Sequence, residues 1–200
     1  MKKQFFLAPA LLCFLLCSLA YANSVQNNLS QELLRLHIIA NSDSVADQEI
    51  KLKVRDRIIE SVGNEFSQVN DKNVYRAMLM KKTDEIKKIA DSVLAEYGVD
   101  YTSDVTFEKL YIPRKYYDGI VLPEGSYEGM IVRLGKSEGK NWWCVVYPPL
   151  CFTESTCGEL SNDALEYLKD TLSPESYSLI TDEGIDIEYK FKLVEIFQKA

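Results

Sequence analysis

The chain has 200 residues, of which 46% are hydrophobic, with 23 Lys and Arg against 30 Asp and Glu and one His, for a formal net charge of −7. An acidic balance repels polyphosphate backbones and anionic lipid faces, so nucleic acid is not expected as a partner. One histidine excludes multi-histidine metal sites and leaves a single candidate for any His-based triad.

Lys2 and Lys3 open the chain, Phe5 to Ala20 is almost wholly apolar, and Ala20-Tyr21-Ala22 fits a small-x-small cleavage site. Together they predict an export signal over 1–22 with a mature start at Asn23. The apolar run is short for a spanning helix, which needs about 20 residues. A lipoprotein signal would place a small residue where Leu16 precedes Cys17. Removing 22 residues from 200 leaves 178 for one exported domain, 23–200, a length that suits a single core. Losing Lys2 and Lys3 leaves 21 basic residues against 30 acidic ones, a net charge of −9.

Asn23 to Ser30 is polar and reads as a leader. Leu33 to Ala40 is then a short apolar run in which Arg35 and His37 stand two apart, the spacing of a strand. Asn41-Ser42-Asp43-Ser44 supplies N-cap side chains, and Asp47 follows Ser44 by three as in a capping box. The stripe of Ile50, Val54 and Ile58 marks a helix that Gly63 is expected to end. A second helix runs from an Asp71 cap to Gly98, with Val74, Met78, Leu79, Ile86, Ile89, Val93 and Leu94 on its apolar face.

From Tyr101 the pattern turns to β, with Val105, Phe107, Leu110 and Ile112, a Tyr-rich turn region to Gly119, Tyr127 to Leu134, a turn from Gly135 to Lys140, and Asn141 to Tyr147. These predict an antiparallel meander or hairpin unit, stopped by Pro148-Pro149. Ser161 or Asn162 starts a short helix to Leu172, Ser173-Pro174 starts another turn, and Glu188 to Lys199 is amphipathic, with Tyr189, Phe191 and Leu193 alternating as in a strand. The fold class expected is a single α/β domain of α+β character: a strand, two helices, a strand meander and C-terminal helices.

Cys13 and Cys17 leave with the signal, whereas Cys144, Cys151 and Cys157 remain in a compartment where disulfides form. Cys151 and Cys157 are closest in sequence. Pro148-Pro149, however, reverses the chain between Cys144 and Cys151 and can bring their Cα atoms within the roughly 4.4 to 6.8 Å a bridge needs. Cys144 with Cys151 is therefore the expected pair, stabilising by about 2.5 kcal/mol through so small a loop.

Catalytic signatures are sparse. Ser126 in Gly-Ser-Tyr-Glu-Gly directly follows the first glycine and so misses the nucleophile-elbow spacing. No Gly-rich phosphate loop or mature C-x-x-C pair occurs, and no cofactor, metal ligand set or catalytic residue is expected. The segment Leu34 to Asp56 stands out, because a strand delivers Arg35 and His37 toward a helix start crowded with Asn41, Ser42, Asp43 and Asp47. Those carboxylates and hydroxyls can cap the chain's own N–H groups, which predicts a structural junction. Lys51 and Arg55 repeat positive charge on one helix face, and Trp142 and Trp143 point to opposite faces of a strand. An outward Trp, with the Lys51 and Arg55 face second, is the candidate partner contact.

Two blocks, LRLHIIANSDSVADQEIKLKVRD from Leu34 to Asp56 and VLPEGSYEGMIVRLGKSEGKNWWCVVYPPLCF from Val121 to Phe152, cover 55 of the 178 mature residues. In them the chain resembles the stage II sporulation protein R family of endospore-forming bacteria. The resemblance implies a protein made in the forespore and exported into the space between forespore and mother-cell membranes. There it would be needed for a mother-cell membrane protease of the aspartic type to process the precursor of sigma factor E. The chain lacks the D-[ST]-G motif of such proteases, so the resemblance implies the trigger, contacting the protease's extracytoplasmic part. Two other readings compete. An extracytoplasmic hydrolase of the cell envelope would use His37, Asp43, Asp47 and Asp56 as acid and base groups, and an envelope module would self-associate through the Trp pair.

Overall fold

The computed structural model describes residues 4–66, 69–117, 119–151 and 162–181. In chain order its elements are α1 (Gln4–Glu32), β1 (Leu34–Ile39), α2 (Val45–Phe66), α3 (Lys72–Lys81), α4 (Thr83–Glu96), β2 (Ser103–Ile112), β3 (Lys115–Tyr117), β4 (Ile120–Leu122), β5 (Gly125–Leu134), β6 (Asn141–Tyr147), α5 (Asn162–Thr171) and α6 (Pro174–Thr181). The mixed α/β class follows directly from this order. Among the described residues no helix is long and apolar enough to cross a membrane.

The main sheet has the order β2-β5-β1-β6, and β3 pairs with β4 in a separate two-stranded ribbon. β2 and β5 are antiparallel neighbours, as a meander requires. β6 does not return beside β5, because β1 lies between them, parallel to β5 and antiparallel to β6. Burial explains the insertion. β1 is hidden along nearly its whole length, and a strand buried on both faces stabilises only as a central strand. The connection from β5 to β6 consequently straddles the C-terminal end of β1, with Gly139 N–H donating to the Ala40 carbonyl at 3.0 Å and Glu138 N–H to the Asn41 carbonyl at 3.2 Å.

Alternation in β1 separates two cores. Leu34, Leu36 and Ile38 join Ile50, Val54, Ile58 and Val62 of α2, the inner faces of α3 and α4, and Met130, Val132 and Leu134 of β5. On the second side Leu29, Leu33, Ile112, Ile120, Leu122, Tyr127 and Val145 pack with Leu168 of α5, Leu172 just after it and Ile180 of α6.

Several expected boundaries shift. The polar stretch after Ala22, read as a leader, is helical and packed: α1 continues through it, and Leu29 is fully buried. Gly63 does not end α2, which runs on to place Phe66 against Tyr75 with ring centroids 4.6 Å apart. The second long helix is two, α3 and α4, divided at Lys82, whose N–H bonds the Met78 and Leu79 carbonyls. Asp71 caps α3, its carboxylate accepting from the N–H groups of Asn73 and Val74. Pro174 stands at the first position of α6, where its missing N–H costs nothing. Cys157, Ser161 and the Glu188 to Lys199 run lie outside the described residues.

Candidate functional site

The end of β1, the start of α2 and the β5–β6 crossing meet in one polar junction. Ser44 caps α2 by accepting the Asp47 N–H at 3.1 Å, and Ser42 Oγ accepts the Ser44 N–H at 3.1 Å. Asp47 does not complete a reciprocal box. Its carboxylate instead accepts from Ser42 Oγ at 2.5 Å, Asn41 Nδ2 at 2.9 Å and the Tyr101 hydroxyl at 2.5 Å. Burial pushes its pKa up, but the bonds from Ser42, Tyr101, Asn41 and Ser44 outweigh that and hold it down at about 2. Tyr101 is shifted the opposite way, by burial first and by its bond to Asp47.

The remaining polar groups grip the crossing. Asn41 Oδ1 accepts the Lys136 N–H at 2.9 Å and Asp43 Oδ1 the Lys140 N–H at 2.7 Å. Asp43 therefore ties the crossing and does not cap the helix. Gly139 is pressed so close that a Cβ there would collide with the Ser42 carbonyl. Lys51, 6% exposed, donates to the Lys140 carbonyl at 3.1 Å and to Gln48 Oε1 at 2.7 Å, and burial lowers its pKa. Arg55, 9% exposed, lies 5.1 Å over the Trp142 ring and pairs with Asp56 at 2.6 Å. The helix face that carries Lys51 and Arg55, the second candidate contact, is thus enclosed, because Trp142 and the crossing cover it.

Arg35 and His37 project to the other side of the sheet, away from this junction. Arg35 is fully buried; its Nε donates to the Cys144 carbonyl at 3.0 Å, one Nη to the Tyr117 hydroxyl at 3.1 Å, and its Cζ lies 5.3 Å over the Tyr127 ring. The second Nη has no hydrogen-bond partner. His37 stacks on Trp143 with centroids 3.5 Å apart and 13° between planes. Neither ring nitrogen makes a hydrogen bond of normal geometry. Burial pushes its pKa down to about 4, opposed by the Asn141 side chain and assisted by the charges of Arg133, Arg35 and Lys115. Trp142 and Trp143 are both half-buried, one against each core, so neither stands out as a free indole.

Cys144 and Cys151 form a disulfide with Cα atoms 5.8 Å apart, and the Leu150 and Cys151 N–H groups both return to the Val145 carbonyl.

The structure joins Asn41, Ser42, Asp43, Asp47 and Lys51, and separates them from Arg35 and His37 by the thickness of the sheet. Asp56 lies elsewhere again, lining a groove of about 230 Å³ between α2 and α4 with Lys53, Arg57, Glu60, Glu96 and Tyr97. Among the described residues no His, Cys, Asp or Glu group has the makings of a metal site. Sequence reasoning missed Tyr101, Gln48 and Tyr117. Nothing local signals Tyr101, which reaches Asp47 across 54 residues, whereas Gly139 in a charged turn was a readable sign of close backbone approach.

Fold and junction define a mixed α/β domain in which both distinctive sequence blocks build one closed strand-to-helix crossing. The family model of stage II sporulation protein R matches residues 30–157. Stage II sporulation protein R of Bacillus subtilis (strain 168) is 35% identical over 131 residues, which cover 66% of this chain and 58% of the relative. The chain belongs to the stage II sporulation protein R family, and its match spans a little over half the length of that relative. No solved structure matches it.

Proposed function

We propose that this protein is an exported signal of spore formation: made in the forespore, cleaved after Ala22, and delivered to the space between the forespore and mother-cell membranes. There it binds the extracytoplasmic part of a membrane-embedded aspartic protease and activates processing of the sigma factor E precursor. It does no bond-breaking chemistry of its own. Membership of a sporulation family supports the setting.

The observation that carries the activator reading is the distribution of the acid and base candidates. Asp43 is occupied by the crossing, Asp47 by Ser42, Asn41 and Tyr101, His37 is stacked on the opposite side of the sheet, and Asp56 is paired with Arg55. A hydrolase would need them around one cleft. Binding alone suffices for activation, since a ligand that prefers the active conformation or dimer of the protease shifts that equilibrium by its differential affinity. About 10⁴-fold preference converts a mostly inactive population into a mostly active one.

The test is reconstitution of precursor processing with the exported protein added outside membranes that carry the protease. His37, Asp43, Asp47, Asp56 and Cys157 are replaced singly and compared at equal amounts of folded protein. Signalling should track stability in every variant. A well-folded variant that binds the protease normally and yet loses all processing would reject the activator reading and favour hidden catalysis.

A further inference from the structure

With Trp142, Trp143, Lys51 and Arg55 all partly or wholly enclosed, the activator reading lacks a contact surface, and the β3–β4 ribbon offers one. Tyr116 is 73% exposed and Tyr111, at the end of β2, is 64% exposed. Successive strand residues face opposite ways. Tyr117 points inward, its hydroxyl accepting from Arg35 and donating to the Trp143 carbonyl at 3.3 Å, so the strand that presents Tyr116 is rooted in the fully buried Arg35. Tyr116 pairs across the ribbon with Val121. An exposed aromatic on a rooted strand loses little freedom on binding, which is the property of an interface anchor.

The charge around it is unlike that of the whole chain. Lys109 to Tyr117 holds Lys109, Arg114 and Lys115 and no carboxylate, in a protein of net charge −7. Among the described residues neither Arg114 nor Lys115 forms an ion pair; Lys115 lies 5.5 Å over the Trp143 ring and Arg114 is exposed. Four carboxylates border the stretch. Glu108 precedes it and is bound by Arg133 at 2.6 Å, Asp118 follows it in the sequence, Glu124 faces the Tyr111 hydroxyl, and Glu128, opposite Lys109 in the sheet, is bound by Arg76 at 2.9 Å. Arg and Tyr together are the residue types that dominate interface energies, and an unpaired Arg fits a carboxylate.

We propose that the outer side of β3, with Tyr116 as the anchor and Arg114 as the charge, docks an acidic segment of the protein partner. This rests on the activator reading and names where that partner binds. The exported protein is titrated into membranes carrying the protease, with the concentration for half-maximal precursor processing as the readout. The variants are Tyr116→Ser, Arg114→Glu, their combination, and Lys53→Glu as a surface-charge control on α2. The combination should raise the half-maximal concentration at least about tenfold with an unchanged Tm, and the control less than about twofold. Added salt should weaken the wild type and have little effect on the combination. Should the combination lower Tm, Arg114→Gln, at an exposed and unpaired position, carries the test with a shift of about threefold or more.

Wild-type stimulation that all the ribbon variants keep overturns the docking site and leaves the activator reading standing. No stimulation by the wild type removes the activator reading and the docking site with it. Binding to protease-free phosphatidylglycerol vesicles that the ribbon variants lose in the same proportion overturns the proposal in favour of a lipid surface.

Discussion

Asp47 and His37 carry opposite electrostatic problems, and both make the domain lose stability in acid. The folded Asp47 titrates at about 2, below its ordinary 3.8, so its contribution is complete above the unfolded value and is lost as pH falls toward 2. His37 is held down at about 4 from 6.5. The unfolded chain therefore takes up a proton first, and the neutral, stacked form favours folding fully above pH 6.5 and progressively less down to pH 4. His37→Phe keeps an aromatic ring against Trp143 without that proton. Its stability measured by urea unfolding should be flatter between pH 7 and pH 4, by up to about 3 kcal/mol. Asp47→Asn should lose about 2 kcal/mol at pH 7 and nearly match the wild type at pH 2, and an equal loss at both pH values would show that the charge is immaterial.

At the scale of elements, the end of α1 and the β5–β6 crossing were hardest to foresee. Residues 23–30 look solvated one by one, yet the last turns of α1 bring Leu29 and Leu33 into the second core, and Gln26 Nε2 donates to the Glu124 carbonyl at 2.5 Å. Leu29→Ala should cost about 2 to 5 kcal/mol, read as a lowered Tm of the purified protein, whereas a flexible leader would tolerate it. The crossing has the length of a hairpin turn, and its six residues alternate well enough with β5 and β6 to suggest that the two strands pair. Only the burial of both faces of β1 makes the straddled arrangement the more stable one. Asp43→Ala tests the clamp: losing the solvent-exposed bond to the Lys140 N–H should lower stability by about 0.5 to 1.5 kcal/mol in thermal unfolding.

For the whole molecule, local signals and long-range packing divided the outcome. Strand β1, the capped start of α2, the Asp71 cap of α3 and the Cys144–Cys151 pair were legible because each depends on residues within a few positions, through hydrogen-bond geometry or short loop closure. Hydrophobic period also set the mixed α/β class, since 3.6 and 2.0 repeats can be read without a partner. Tertiary structure alone decided that β1 enters between β5 and β6, that Asp43 grips a turn 97 residues away, and that Lys51 and Arg55 are enclosed. Such choices depend on which surfaces cover one another, and a one-dimensional pattern states how much apolar and polar surface each segment carries but not which segment will bury it.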